Sequence, residues 1–117
     1  MKFENQAAID NNIKIIKSTF TRYNNWKAKY DALNTKRLEL DTLTKEERND
    51  FYRAWGKIND YKPKHPNRGS EAYWGALITV PRALEAEHGI VIQNSPSNGG
   101  SEATAREILA VFGMEVS

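Results

Sequence analysis

The stretch IDNNIKIIKSTFTRYNNWKAKYDAL, residues 9–33, decides the fold. Its apolar positions are Ile9, Ile13, Ile16, Phe20, Tyr23, Trp26, Tyr30 and Leu33, each three or four residues after the last, the spacing of one stripe along an α-helix. Twenty-five residues rising about 1.5 Å each span about 37 Å, long for a helix in a chain of 117 residues. A stripe of that length needs a long partner. Either the second half of the chain folds back along it or an identical helix from a second copy does, so a homodimer through this first helix is one expectation.

Beyond Leu38 and Leu40, the run Thr44-Lys45-Glu46-Glu47 reads as a capping box that starts a second helix of about four turns. That helix carries Phe51, Trp55 and Ile58 on one face and ends near Asn59 and Asp60. Residues 61–69 hold Pro63 and Pro66, each of which removes a donor and holds its predecessor extended, so an exposed linker is expected there. Ser70 is placed to cap a third helix bearing Tyr73, Trp74, Leu77, Ile78 and Leu84, which Pro81 should kink or divide and Gly89 should terminate. Ile90-Val91-Ile92 then reads as a short strand. A turn-rich run over residues 94–100 leads to a fourth helix capped by Ser101, with Ile108, Leu109 and Phe112 inward and Gly113 at its end. Met114-Glu115-Val116 reads as a second strand. The expected fold is therefore mainly α, one domain over residues 1–117: a bundle of about four helices, the first one long, with a small two-stranded β element near the C-terminus. Within it, residues 1–60 form a long helical hairpin, 61–69 a basic linker, and 70–117 a kinked helix followed by a strand-helix-strand unit.

Composition narrows the chemistry. The chain contains no Cys, which excludes a disulfide framework, thiolate catalysis and a Cys-based zinc site. The N-terminal residues 1–6 carry no apolar signal core, and no run approaches the roughly 20 apolar residues of a membrane span. A cytoplasmic protein without a membrane partner is expected. The net charge of +2 hides an asymmetry: residues 1–68 hold 15 Lys and Arg against nine Asp and Glu, whereas residues 69–117 hold two against six. Such a split marks either a surface that faces a polyanion or two faces that attract each other or a second subunit.

The strongest functional signal lies between residues 53 and 68. There Arg53, Lys57, Lys62, Lys64 and Arg68 stand against the single acid Asp60, interleaved with Trp55 and Tyr61. Cations neutralise phosphates while exposed rings stack on bases, so this composition suits nucleic acid, single-stranded in particular. Arg22, Lys27, Lys29, Lys36 and Arg37 extend the surface. The competing reading is that Trp55 packs in the core and the charges solubilise a loop. A second candidate is an anion-binding loop, Ser97, Asn98, Gly99, Gly100 and Ser101, delivering a helix N-terminus, although it lacks the Lys and the spacing of a phosphate-binding P-loop. Glu85 and His88 share one helix face but supply only half of a carboxylate metal site, and His88 is expected on the closing carbonyls of its own helix. With His65 between prolines and no nucleophile beside a base, neither an enzyme nor a cofactor or metal site is expected.

Two functions compete on these residues. One is a nucleic-acid-associated binding module. The helix order from residue 45 onward resembles a helix-turn-helix with Ile90–Gly100 as a wing, although residues 70–88, with one Arg and three Glu, make a poor recognition helix. The other is a protein-binding accessory, an inhibitor or adaptor of the phage or mobile-element kind, that occludes a partner through aromatic and Arg anchors. The residue cluster favours the first. Replacing Lys62, Lys64 and Arg68 together by Ala is expected to weaken a nucleic-acid complex and flatten the salt dependence of its affinity, while the melting temperature hardly moves; an unchanged slope removes this segment from the binding surface.

Overall fold

The structure, a computed structural model, describes residues 1–40, 42–64, 71–97 and 100–116. Four helices follow one another: α1 (Gln6–Leu40), α2 (Lys45–Tyr61), α3 (Glu71–His88) and α4 (Ser101–Val111). At about 1.5 Å per residue the 35 residues of α1 make a rod of about 52 Å, and the molecule measures 56 × 25 × 24 Å. Its radius of gyration, 17.1 Å, exceeds the roughly 13 Å of a compact domain of this length. The shape is a head with an arm.

The head is built on the first half of the stripe. Ile9, Ile13, Ile16 and Phe20 of α1 pack with Tyr73, Ala76, Leu77, Val80 and Leu84 of α3 and with Ala105, Ile108 and Leu109 of α4, and Phe3 closes the cluster. These residues recur at three- and four-residue steps on each helix, so three stripes meet in one core. Asn5 starts α1 by accepting the Ala8 amide at 3.3 Å, as N-cap side chains do. The long partner that α1 needs is internal: α3 lies against its first half and α2 against its second.

Several expectations change. Pro81 does not divide α3, which runs unbroken from Glu71 to His88. His88 does not turn to its own helix end; its Nε2 meets the Lys2 carbonyl, and the Phe3 ring stands edge-on to it at 4.7 Å. Gly89 does terminate α3, at φ +64°, with its amide donating to Glu85 and that of Ile90 to Leu84. Ser70 and residues 65–69 lie outside the described residues, as do Asn98 and Gly99.

No strand forms among the described residues, so the expected β element is absent. The apolar residues of both segments are used in another way. Ile90, Ile92, Met114 and Val116 dock on the helical core one by one, leaving Val91 exposed. Adjacent side chains of α4 bond the backbone at and beside these segments. Glu107 accepts the amides of Gln93 and Asn94 at 2.7 and 2.9 Å, and Arg106 donates to the Val116 carbonyl at 2.6 Å. Its slight desolvation would raise the Glu107 carboxyl, but these amides and the Asn94 side chain outweigh that and hold it below its usual value. Gly113, at φ +73°, ends α4 with Met114 donating back to Leu109.

Ser101 does not cap α4. Gly100 holds the cap position without a side-chain bond, and Ser101 is buried in the first turn. Its hydroxyl lies 2.7 Å from the Pro63 carbonyl oxygen and 2.6 Å from that of Lys64. Tyr73 donates to the same Pro63 oxygen at 3.1 Å, and burial pushes this phenol well above its usual range, so the proton stays in place. Three elements thus meet where the chain leaves α2. Gly100 is required beside this joint, because a Cβ there would stand 2.1 Å from the Ser95 carbonyl oxygen. Gly100→Ala is expected to lower stability by on the order of 2 kcal/mol. Gly75→Ala, in open space on the exposed face of α3, should raise it by about 0.5–1 kcal/mol. Thermal melting of the two variants checks both signs.

Candidate functional site

The second half of α1 and the whole of α2 form an antiparallel hairpin, the arm. Among the described residues α2 touches no helix but α1. The capping box forms: Thr44 Oγ1 accepts the Glu47 amide at 3.1 Å, and Glu47 Oε1 accepts the Thr44 amide at 3.0 Å. The other carboxylate oxygen of Glu47 pairs with Lys36, so one side chain both starts α2 and ties it to α1. Further along, Tyr30 stacks on Phe51 at 4.8 Å, Lys29 faces Asp50 at 3.9 Å, and Arg22 lies over the Tyr61 ring at 5.4 Å. These contacts fix the register. At the seam Ala54 is the only buried residue of α2.

The hairpin has two unlike edges. One holds the inter-helix charges, Lys29 with Asp50 and Lys36 with Glu47, and closes at Tyr61, which Arg22 and Lys57 both overlie. The other is aromatic. Tyr30, Arg37, Thr42, Leu43, Arg48, Phe51, Tyr52 and Trp55 line a groove of about 860 Å³, and Tyr23, Lys27, Ile58 and Asn59 continue it past Trp55 toward the head. Tyr52 is 67% and Trp55 59% exposed, among the largest exposed apolar surfaces of the molecule. Arg37 lies over the Phe51 ring at 5.7 Å. Among the described residues neither Arg37 nor Arg48 takes part in an ion pair; no carboxylate lines the wide part of the groove, and Asp31, paired with Lys27, lines its continuation past Trp55.

The structure separates residues that the sequence groups together. Arg53 is exposed, Lys57 and Tyr61 belong to the charged edge, and Lys62 and Lys64 are exposed at the crossing into the head. Lys64 sits beside Glu102 and Arg106, away from the groove. Arg68 lies outside the described residues. Trp55 is not in the core: it lines the groove beside Phe51 and Ile58, and the buried position at the seam is Ala54. Trp74 is half-buried. In the anion-loop candidate Ser97 is exposed, whereas the Ser101 hydroxyl points inward to the joint. The described ion pairs lie within α1, between α1 and α2, or within α4. The opposite charges of the chain's two halves therefore do not hold arm to head through described ion pairs.

The sequence reading missed Arg48, Tyr52 and the pairing of Tyr30 with Phe51. Arg48, Tyr52, Trp55 and Asn59 are spaced by four, three and four residues, which marks a second face of α2. That signal was present but masked by the denser cation run after residue 53. Among the described residues no cluster of three or more acidic or His side chains could hold a metal, and no helix is long and apolar enough to cross a membrane. Searches of protein-family models, curated proteins and solved structures found no match to this chain.

Glu47 makes the arm sensitive to acid. Its hydrogen bond to Lys36, and then those to Thr44, hold its carboxyl down to about 2 from the usual 4.5. A depressed carboxylate contributes stability that is present above the unfolded value and is lost as pH falls toward the folded one. The helical circular-dichroism signal is expected to fall between pH 4.5 and about 2, and Glu47→Gln should flatten that loss.

Proposed function

We propose that the protein is a non-enzymatic binding protein, associated with nucleic acid, whose arm is the binding element. The observation that carries this reading is the exposure of Tyr52 and Trp55 beside Arg37 and Arg48, in a groove whose wide part no described carboxylate lines. A core would have used those rings. The head closes instead on the first half of α1 with α3 and α4, leaving the arm's aromatic edge outside it. The basic half of the chain, residues 1–68, contains the whole arm, so a polyanion approaches it with favourable long-range field. The described histidine, His88, is engaged by Lys2 and Phe3, away from the groove, which supports binding over catalysis.

A second reading, a protein-binding accessory or inhibitor that occludes a partner surface, draws on the same edge. Leu38, 68% exposed on the arm, and the Trp, Tyr and Arg composition of the groove match the anchors of protein interfaces. Fluorescence anisotropy of labelled DNA and RNA, titrated with the full chain at two salt concentrations, separates the two. Affinity that falls steeply with salt is expected. No complex at low salt would overturn the nucleic-acid reading and favour the protein partner.

A further inference from the structure

The geometry points to a single strand as the form of nucleic acid that the arm takes, its unpaired bases laid against Trp55 and Tyr52 and its phosphates on Arg48 and Arg37. This inference rests on the nucleic-acid reading above and adds the chemical form of the ligand and the edge that holds it.

Tyr30 and Phe51 are already stacked on each other, with Arg37 over Phe51, and so form a filled floor. The Tyr52 ring stands edge-on to Phe51 at 5.7 Å, on the exposed side of that floor, with Trp55 one helical turn farther along α2. Both rings therefore offer surface that no described residue covers. In a duplex the faces of the bases are stacked on one another, and only their edges and the phosphates are presented to a protein. Unpaired bases have free faces, and an aromatic side chain accepts any of them. The cation supply points the same way. A duplex footprint draws its affinity from a row of phosphate contacts. Here the wide part of the groove offers two arginines, and the cation of its continuation, Lys27, is paired with Asp31 at 3.1 Å. The charged edge of the arm is committed likewise, Lys29 to Asp50 and Lys36 to Glu47. Two arginines without a described ion pair, beside two exposed rings, fit a short single strand.

The test titrates the full chain with an oligothymidylate and with the same oligomer in duplex with oligoadenylate, reading anisotropy and tryptophan fluorescence. The single strand is expected to bind more tightly than the duplex and to quench emission. Trp55→Leu should lose most of the quenching and weaken binding by about ten-fold, as removal of one base-stacking ring does, whereas Trp55→Phe should restore most of the affinity. Replacing Arg37 and Arg48 by Gln should reduce the slope of log affinity against log salt by about 1.4, two single-strand phosphate contacts. Because Trp55 and Tyr52 are exposed, these variants keep the fold, which circular dichroism verifies. If duplex and single strand bind equally, or if Arg53→Gln and Lys57→Gln weaken binding while Trp55→Leu does not, the stacking edge is overturned and the nucleic-acid reading stands. Absence of binding to either oligomer at low salt overturns both.

Discussion

Helix α1 is one continuous rod of 35 residues that must be covered along its whole length, and the apolar core reaches only its first half. A straight helix cannot fold over to shield its own far end, so a second cover has to come from elsewhere in the chain. That cover is α2. It is thin by comparison: one small buried residue, Ala54, lets the two helices approach, and stacked rings and exposed ion pairs complete the seam. Exposed ion pairs of this kind contribute little each, so the arm depends on the Tyr30–Phe51 stack and on its capping box.

The joint between arm and head answers a different constraint. Where the chain leaves α2, the buried Pro63 carbonyl has no helix or sheet to bond with, and an unpaired buried carbonyl is costly. Tyr73 of α3 and Ser101 of α4 both reach it, so one backbone oxygen ties three parts of the molecule. A hydroxyl that sequence rules assign to a helix cap is used here for tertiary closure. The same economy governs the segments beside α4, where Glu107 and Arg106 bond the backbone at and beside them.

Charge is distributed by local need as well as by long-range field. Three of the six acids of the C-terminal half are occupied nearby: Glu107 by loop amides, Glu102 by Arg106 and Glu87 by the Glu4 amide. They do not neutralise the arm's cations through described ion pairs, and Arg37 and Arg48 take part in none of those pairs. The aromatic edge follows from the thin seam. Only one narrow strip of α2 faces α1, so the rings flanking Ala54 on the outer side have no interior to enter.

The long first helix, the capping box at Thr44 and Glu47, the glycine stops at Gly89 and Gly113, the inward positions at the start of α1, Tyr73, Leu77 and Leu84 of α3 and Ile108 and Leu109 of α4 were legible in the sequence, because each depends on neighbours within a turn or two. Ile78 of α3, by contrast, proves exposed, and Ala76 and Val80 take the buried places. The basic, aromatic character of residues 53–61 was legible too, as composition. What composition could not contain was the angular placement of Trp55, which turned on Ala54 taking the seam and so required knowing which face of α2 meets α1. The strands failed for a related reason: a short apolar segment beside a glycine reads the same whether its backbone pairs with another strand or lies against helices. Local bonding patterns are written in short spacings, whereas which surfaces meet is settled by contacts between residues far apart in the chain. The groove, built from Tyr30 and Arg37 on one helix and Arg48 to Trp55 on the next, came into being only when those two helices packed.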